Sequence, residues 1–120
     1  MRIIYTSFIN RGFSFNPFIV IPKWAKGDTA YLEHEKAHFN RQSLFPIWWV
    51  TKYFLSKQFR LQEELIAYKA EIKEKQRTNR GVAITAYARC LSQLYWGMIG
   101  YDNAIAEVVQ ILKESEKEVM

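Results

Sequence analysis

The sequence predicts an α+β fold, in which an N-terminal β-hairpin or small sheet packs on four to five helices. Three observations carry that prediction. Residues 1–22 are rich in β-branched and aromatic side chains, with the turn formers Asn10-Arg11-Gly12 between them. From Asp28 onward, long stretches without glycine or proline repeat apolar residues at helical spacing. Short breakers separate these stretches, at Pro46, at Thr78-Asn79-Arg80-Gly81 and at Gly97 to Gly100.

Residues 2–9 and 13–21 read as two strands reversed through Asn10-Arg11-Gly12 into a hairpin. Pro17 and Pro22 cannot donate to a ladder, so the second strand is expected at a sheet edge or with a bulge. Asp28 or Thr29 offers an N-cap, and residues 30–42 form the first helix. Residues 44–59 are apolar at too many positions for one stripe, so this segment is either well buried or greasy on two sides. Residues 60–77 turn amphipathic and continue as a second long helix, with a break expected near Ser56-Lys57. Asn79 and Gly81 tolerate the backbone that ends a helix. Residues 82–96 then give a third helix, and residues 104–118, after a cap at Asp102, a fourth.

With 120 residues, 49% of them hydrophobic and 16% aromatic, the chain suits a single domain spanning residues 1–120. A chain of this size hides roughly two-thirds of its extended surface, so no covalent staple is needed. Cys90 stands alone, which excludes an intramolecular disulfide and a cysteine-rich zinc knuckle and points to a reducing compartment. The longest strongly apolar run, residues 44–50, contains Pro46 and falls far short of the roughly twenty residues of a membrane helix. The first residues lack the apolar core of a signal peptide, so a cytoplasmic location is expected. The net charge of +5 is uneven: residues 1–60 hold nine Lys/Arg against three Asp/Glu, and residues 61–120 hold eight against nine. The basic residues stand singly among aromatics rather than in runs, so they read as solvated edges and no nucleic-acid partner is expected.

The chemistry concentrates in His34-Glu35-Lys36-Ala37-His38, an H-E-x-x-H run that holds both histidines of the chain. Chance placement would produce it roughly once in 700 such compositions. Four residues advance a helix by about 400°, so both imidazoles project from one face and can meet one ion. A catalytic zinc takes three protein ligands and leaves a position for water. Glu35, one residue round from His34, can hold that water and take its proton as general base. The third ligand must be a carboxylate, because there is no third histidine. The Glu63-Glu64 pair stands out; adjacent helical residues point about 100° apart, so one of the two can face the ion. Glu71 is a further candidate.

The run from Leu32 to Gln42, the Trp-rich helix after it, and Glu64-Leu65-Ile66-Ala67-Tyr68-Lys69-Ala70 together resemble small zinc metallopeptidases of the gluzincin type. These include the minimal gluzincins, short H-E-x-x-H proteins of phages and bacteria, and the catalytic domains of HtpX-like peptidases. The resemblance implies a zincin-like domain with His34, His38 and Glu64 as zinc ligands, since Glu64 stands three residues before Ala67 as the family's ligand glutamate does. It also implies hydrolysis of peptide bonds by a zinc-bound water with Glu35 as base, in an endopeptidase rather than an exopeptidase. The family commonly has Asp four residues after the ligand, holding the first histidine; here that position is Tyr68. A peptide or protein substrate is expected to add to the free edge of strand 13–21. Tyr53, Tyr87, Arg89 and Tyr95 are candidates for stabilising the oxyanion.

Plainer readings stand beside these. Trp48, Trp49, Tyr53 and Phe54 read as core packing over the first helix, with an interfacial membrane face as the other use. Cys90 reads as a small buried hydrophobe; peptide deformylases also carry an H-E-x-x-H helix, but their cysteine ligand lies upstream of it. The C-terminal helix is a solvated element or, in the sharper reading, a site of self-inhibition or dimer contact. The alternative for the whole chain is a non-catalytic metal-binding or interaction module on a degenerate peptidase fold.

Overall fold

The computed structural model describes residues 1–42, 45–93 and 98–119. The N-terminal segment forms three strands, β1 (Arg2–Thr6), β2 (Phe13–Phe15) and β3 (Phe18–Pro22), in the order β1-β3-β2. β3 is the most apolar strand and takes the centre, with Ile19 and Ile21 fully buried. It pairs in parallel with β1, Ile3 opposite Ile19, and antiparallel with β2, Phe15 opposite Phe18. The expected hairpin through Asn10-Arg11-Gly12 therefore does not form, because β3 lies between the two strands it would have joined. The expected second strand, 13–21, is divided at Asn16-Pro17, where the peptide bond is cis. The reversal falls there because the proline ring removes a ladder donor. β3 is central, and the edges are β1 and β2. Ahead of β2, Gly12 leaves no room for a side chain: a Cβ there would lie 2.7 Å from the Val20 carbonyl oxygen.

After a single 3-10 turn at Lys23–Ala25, α1 (Thr29–Gln42) begins with Asp28 as its cap, accepting from the Tyr31 backbone N–H at 3.1 Å. Arg80 Nη1 holds the same carboxylate at 2.7 Å, tying the start of α1 to the loop beyond the long helix. α2 (Pro46–Leu55) and α3 (Lys57–Arg77) are divided by Ser56, as expected; its Oγ accepts from the Phe59 N–H at 3.1 Å and caps α3. The buried Arg60 reaches back from α3 and donates to the Tyr53 carbonyl at 2.8 Å, satisfying an end group that α2 leaves open. α3 ends with Asn79 in the left-handed region (φ 57°), and α4 (Ile84–Gln93) and α5 (Tyr101–Val119) follow. The architecture is α+β, a three-stranded sheet with five helices among the described residues.

Two apolar clusters hold these elements. The smaller, Ile19, Ile21 and Ala25 with Tyr31, Leu32 and Phe39, seals the sheet against α1. The larger joins Tyr68 and Ile72 of α3, Tyr87, Ala88 and Leu91 of α4, and Ala104, Val108 and Ile111 of α5. α5 is thus a core element rather than a solvated appendage: three of the nine buried residues of that cluster come from it. Cys90 is half-buried at its margin, as a small apolar side chain. No helix among the described residues is long and apolar enough to cross a membrane.

Leu91 is fully buried in the larger cluster. Its replacement by alanine is expected to cost about 2–5 kcal/mol, read as a lowered urea midpoint with unchanged slope. A loss under about 1 kcal/mol would show that α4 and α5 do not form one cooperative core with α3.

Candidate metal centre

α1 and α3 meet through polar groups. The α1 face turned to α3 carries His34 and His38, one helical turn apart, with ring centroids 5.0 Å from each other and both residues buried. Glu64 of α3 lies between them, Oε1 at 3.0 Å from His38 Nε2 and Oε2 at 3.3 Å from His34 Nε2. One ligand atom from each of the three residues falls within 4.8 Å of the others. Its neighbour Glu63 turns away around the helix and grips Arg41, with Nε to Oε2 at 3.0 Å and Nη2 to Oε1 at 3.2 Å. Of the expected carboxylate pair, the structure brings Glu64 and not Glu63 to the imidazoles.

The group fits a metal ion by its chemistry. Two imidazole nitrogens and a carboxylate oxygen converge from three buried residues, the donor set used by zinc and by several other first-row metals. His38 Nδ1 and Glu64 Oε2 are buried without a straight hydrogen bond among the described residues. Burial alone would lower the His34 pKa, but the bonds to Glu64 and Glu71 overturn that and raise it from 6.5 to about 10. Burial would likewise raise Glu64, yet the positive charge of His38 and the bonds from both imidazoles hold it well below the usual carboxylate range.

Glu71 has a different place from the one expected. Seven residues after Glu64, two helical turns on, it stands on the same face of α3, and its Oε1 lies 3.1 Å from His34 Nδ1. The contact is an ion pair set off the line of a straight hydrogen bond. The Tyr87 hydroxyl donates to the other oxygen of Glu71, and Lys75 lies 3.9 Å from it. Burial, helped by the charge of Glu71, pushes the Tyr87 phenol up, so it stays a proton donor. Tyr68, at the position where the resembled family has Asp, instead lays its ring edge-on against His34 at 4.6 Å. The seven-residue step from Glu64 was the sequence signal for Glu71.

Glu35 is buried, and its Oε2 lies 3.0 Å from the Ser14 hydroxyl, which also donates to the Glu35 backbone carbonyl at 2.6 Å. Burial pushes its carboxyl up, against the pull of the two imidazoles. Ser14 was missed in the sequence because a lone serine in a strand carries no pattern. Of the four oxyanion candidates, Tyr53 is at the centre, donating to Glu64 Oε1 at 2.5 Å. Tyr87 is on the Glu71 side, Arg89 is exposed on α4, and Tyr95 lies outside the described residues.

Two openings reach this group. One, of about 750 Å³ with its mouth, is walled by Phe13, Phe15, Trp49, Val50, Tyr53 and Phe54 above His34, Glu35, His38 and Glu64. The other, of about 1030 Å³, is bordered by Tyr31, Glu71, Lys75 and Tyr87, and shares His34 and Glu35. No residue of α5 lines either among the described residues. No family model, no curated protein and no solved structure matches this chain.

A metal ion must displace the His34 proton, so uptake at pH 7 is expected to release at least one proton. Apparent affinity should rise about tenfold per pH unit from 7 toward 10. Titration calorimetry in buffers of different ionisation enthalpy checks this, and identical heats in all buffers would contradict it. Glu71→Gln is expected to weaken metal binding about 10- to 100-fold, as measured by competition with a chromogenic chelator.

Proposed function

We propose that this chain is a zinc-dependent peptidase of the minimal gluzincin type, with His34, His38 and Glu64 holding the ion and Glu35 as general base. The observation that supports it most is the joint placement of the three ligand atoms and the Glu35 carboxylate at the floor of an open cleft. A bound zinc would supply Lewis-acid activation of water and of the scissile carbonyl. Glu35, its affinity for protons raised by burial, accepts the proton of the attacking water and passes it to the departing amine. The Ser14 hydroxyl fixes the Glu35 carboxylate in direction. Glu71, itself held by Tyr87, orients His34. In place of the family's Asp, this chain reaches the first histidine from one turn further along α3. Tyr53, beside Glu64, is placed to turn its hydroxyl toward the carbonyl oxygen.

The substrate rail is shorter than the sequence suggests. Of the two edge strands, β1 and β2, β2 is the one that borders the cleft, and the Gln42 side chain occupies part of its edge, donating to the Ser14 carbonyl at 2.5 Å and accepting from the Asn16 N–H at 2.7 Å. Tyr31 Oη accepts from the Gly12 N–H at 2.5 Å and takes another group of the same segment. That occupation favours a second reading, a metal-binding interaction module with no extended substrate.

Glu35→Gln separates the two. A peptidase loses about 10²- to 10⁴-fold in the rate of cleaving a labelled unfolded protein while keeping one zinc per chain. Wild-type chain loaded with zinc that leaves such substrates intact, or a variant as active as wild type, would remove the peptidase reading.

A further inference from the structure

α2 presents an unusual outer face. Trp49, Val50 and Tyr53 are half-buried toward the site, which is the packing expected of this segment for Trp49 and Tyr53. The opposite face should be polar, yet Ile47, Trp48 and Leu55 are 72, 62 and 82% exposed, and Phe54, at the rim of the cleft, is 58% exposed. The expectation that Trp48 and Phe54 fill the core is thus overturned: α2 is covered on one side only. The sheet repeats the pattern. α1 packs on the face carrying Ser14, Ile19 and Ile21, while Ile4, Phe13, Phe15 and Phe18 stand exposed on the other. The two apolar faces meet at a groove lined by Phe15, Phe45, Pro46, Ile47 and Trp48.

The charges around these faces have one sign. Residues 36–62 contain five Lys/Arg and no carboxylate; Lys36 pairs with Glu33, Arg41 pairs with Glu63 and Arg60 is buried, so Lys52 and Lys57 carry the charge of this side. The three carboxylates of residues 1–60 are all engaged: Asp28 with Arg80, Glu33 with Lys36, and Glu35 inside the site. Lys52 lies 5.3 Å from the Trp48 ring centroid, so a cation and an indole share the exposed face. An outward face of Trp, Phe, Ile and Leu carrying lysines without acids is the chemistry of a helix lying in an anionic lipid headgroup layer. A second copy of the chain would set Lys52 and Lys57 against their like.

We infer that the outer face of α2, with the adjoining uncovered face of the sheet, docks this chain on an anionic lipid surface. Phe15 belongs both to the docking groove and to the cleft wall, so the docked chain holds the mouth of its cleft at the lipid boundary. The inference requires neither zinc nor turnover and stands or falls apart from the peptidase reading.

The test is co-sedimentation with vesicles of phosphatidylcholine containing about one-third phosphatidylserine, against phosphatidylcholine alone. The expected result is binding to the anionic vesicles with a blue shift of tryptophan emission. It should weaken at least about tenfold in Ile47→Ser/Trp48→Ser/Leu55→Ser and in Lys52→Glu/Lys57→Glu. The lysine variant leaves the apolar face intact and keeps the test valid if the triple variant misfolds. Absence of binding, equal binding to neutral vesicles, or binding unchanged in the lysine variant would overturn the inference. So would a concentration-dependent dimer in lipid-free sedimentation that the triple variant abolishes, which would assign the face to a second copy.

Discussion

The structure depends on the burial of charge between α1 and α3. Four buried carboxylates, Glu35, Glu63, Glu64 and Glu71, and two imidazoles lie within that one contact, where most helix pairs place leucine and valine. Removing such groups from water costs several kcal/mol each unless every one finds a partner. The surrounding elements can be understood as suppliers of those partners. β2 brings Ser14 to Glu35, α2 brings Tyr53 to Glu64, and α4 brings Tyr87 to Glu71. The apolar clusters lie to either side, one under the sheet and one between α3, α4 and α5, and the larger enters the polar seam through Tyr68 against His34 and Tyr87 against Glu71.

This arrangement explains why a small chain can keep an open cleft beside buried ionisable groups. A seam built of hydrogen bonds has fixed directions and tolerates solvent along one edge, whereas an apolar seam would close. α2 completes the wall. Its inner residues Trp49 and Tyr53 stack at 5.0 Å and pack over His38, screening the imidazole from the side. Arg60 fixes the end of α2 from the first turn of α3, one turn before Glu64. The aromatic wall and the carboxylate it faces are therefore positioned by the same stretch of helix.

Much of this was legible in the sequence where a pattern has a period. The four-residue step of His34 and His38, the break at Ser56 and the ends at Asp28 and Asn79 follow from local geometry and reappear within a residue or so. The strand pairing did not, because a hairpin and a crossover strand draw on the same β-rich residues. What decides between them is which strand takes the centre of the sheet, and that is a tertiary question answered by Ile19 and Ile21, which α1 buries. The choice between Glu63 and Glu64 was open to spacing alone, and it turns on Arg41, twenty-two residues away, which takes Glu63. Ser14 and Tyr87 reach the seam from β2 and α4, and no sequence rule ties a single hydroxyl to a distant carboxylate. The long apolar segment was read as buried or greasy on two sides; the helix it forms is buried on one and greasy on the other.

Gln42 has a consequence beyond its part in shaping the cleft. Its amide bonds the Ser14 carbonyl and the Asn16 N–H in the manner of a neighbouring strand, so the β2 edge of the sheet is partly closed by a side chain of the same molecule. Unpaired strand edges recruit other chains and seed aggregation, and small sheets with apolar faces are the most exposed to it. A residue at the last turn of α1 thus gives the β2 edge, the one beside the cleft, a built-in guard against edge-to-edge pairing, and ties that guard to the folding of the helix that carries the two histidines.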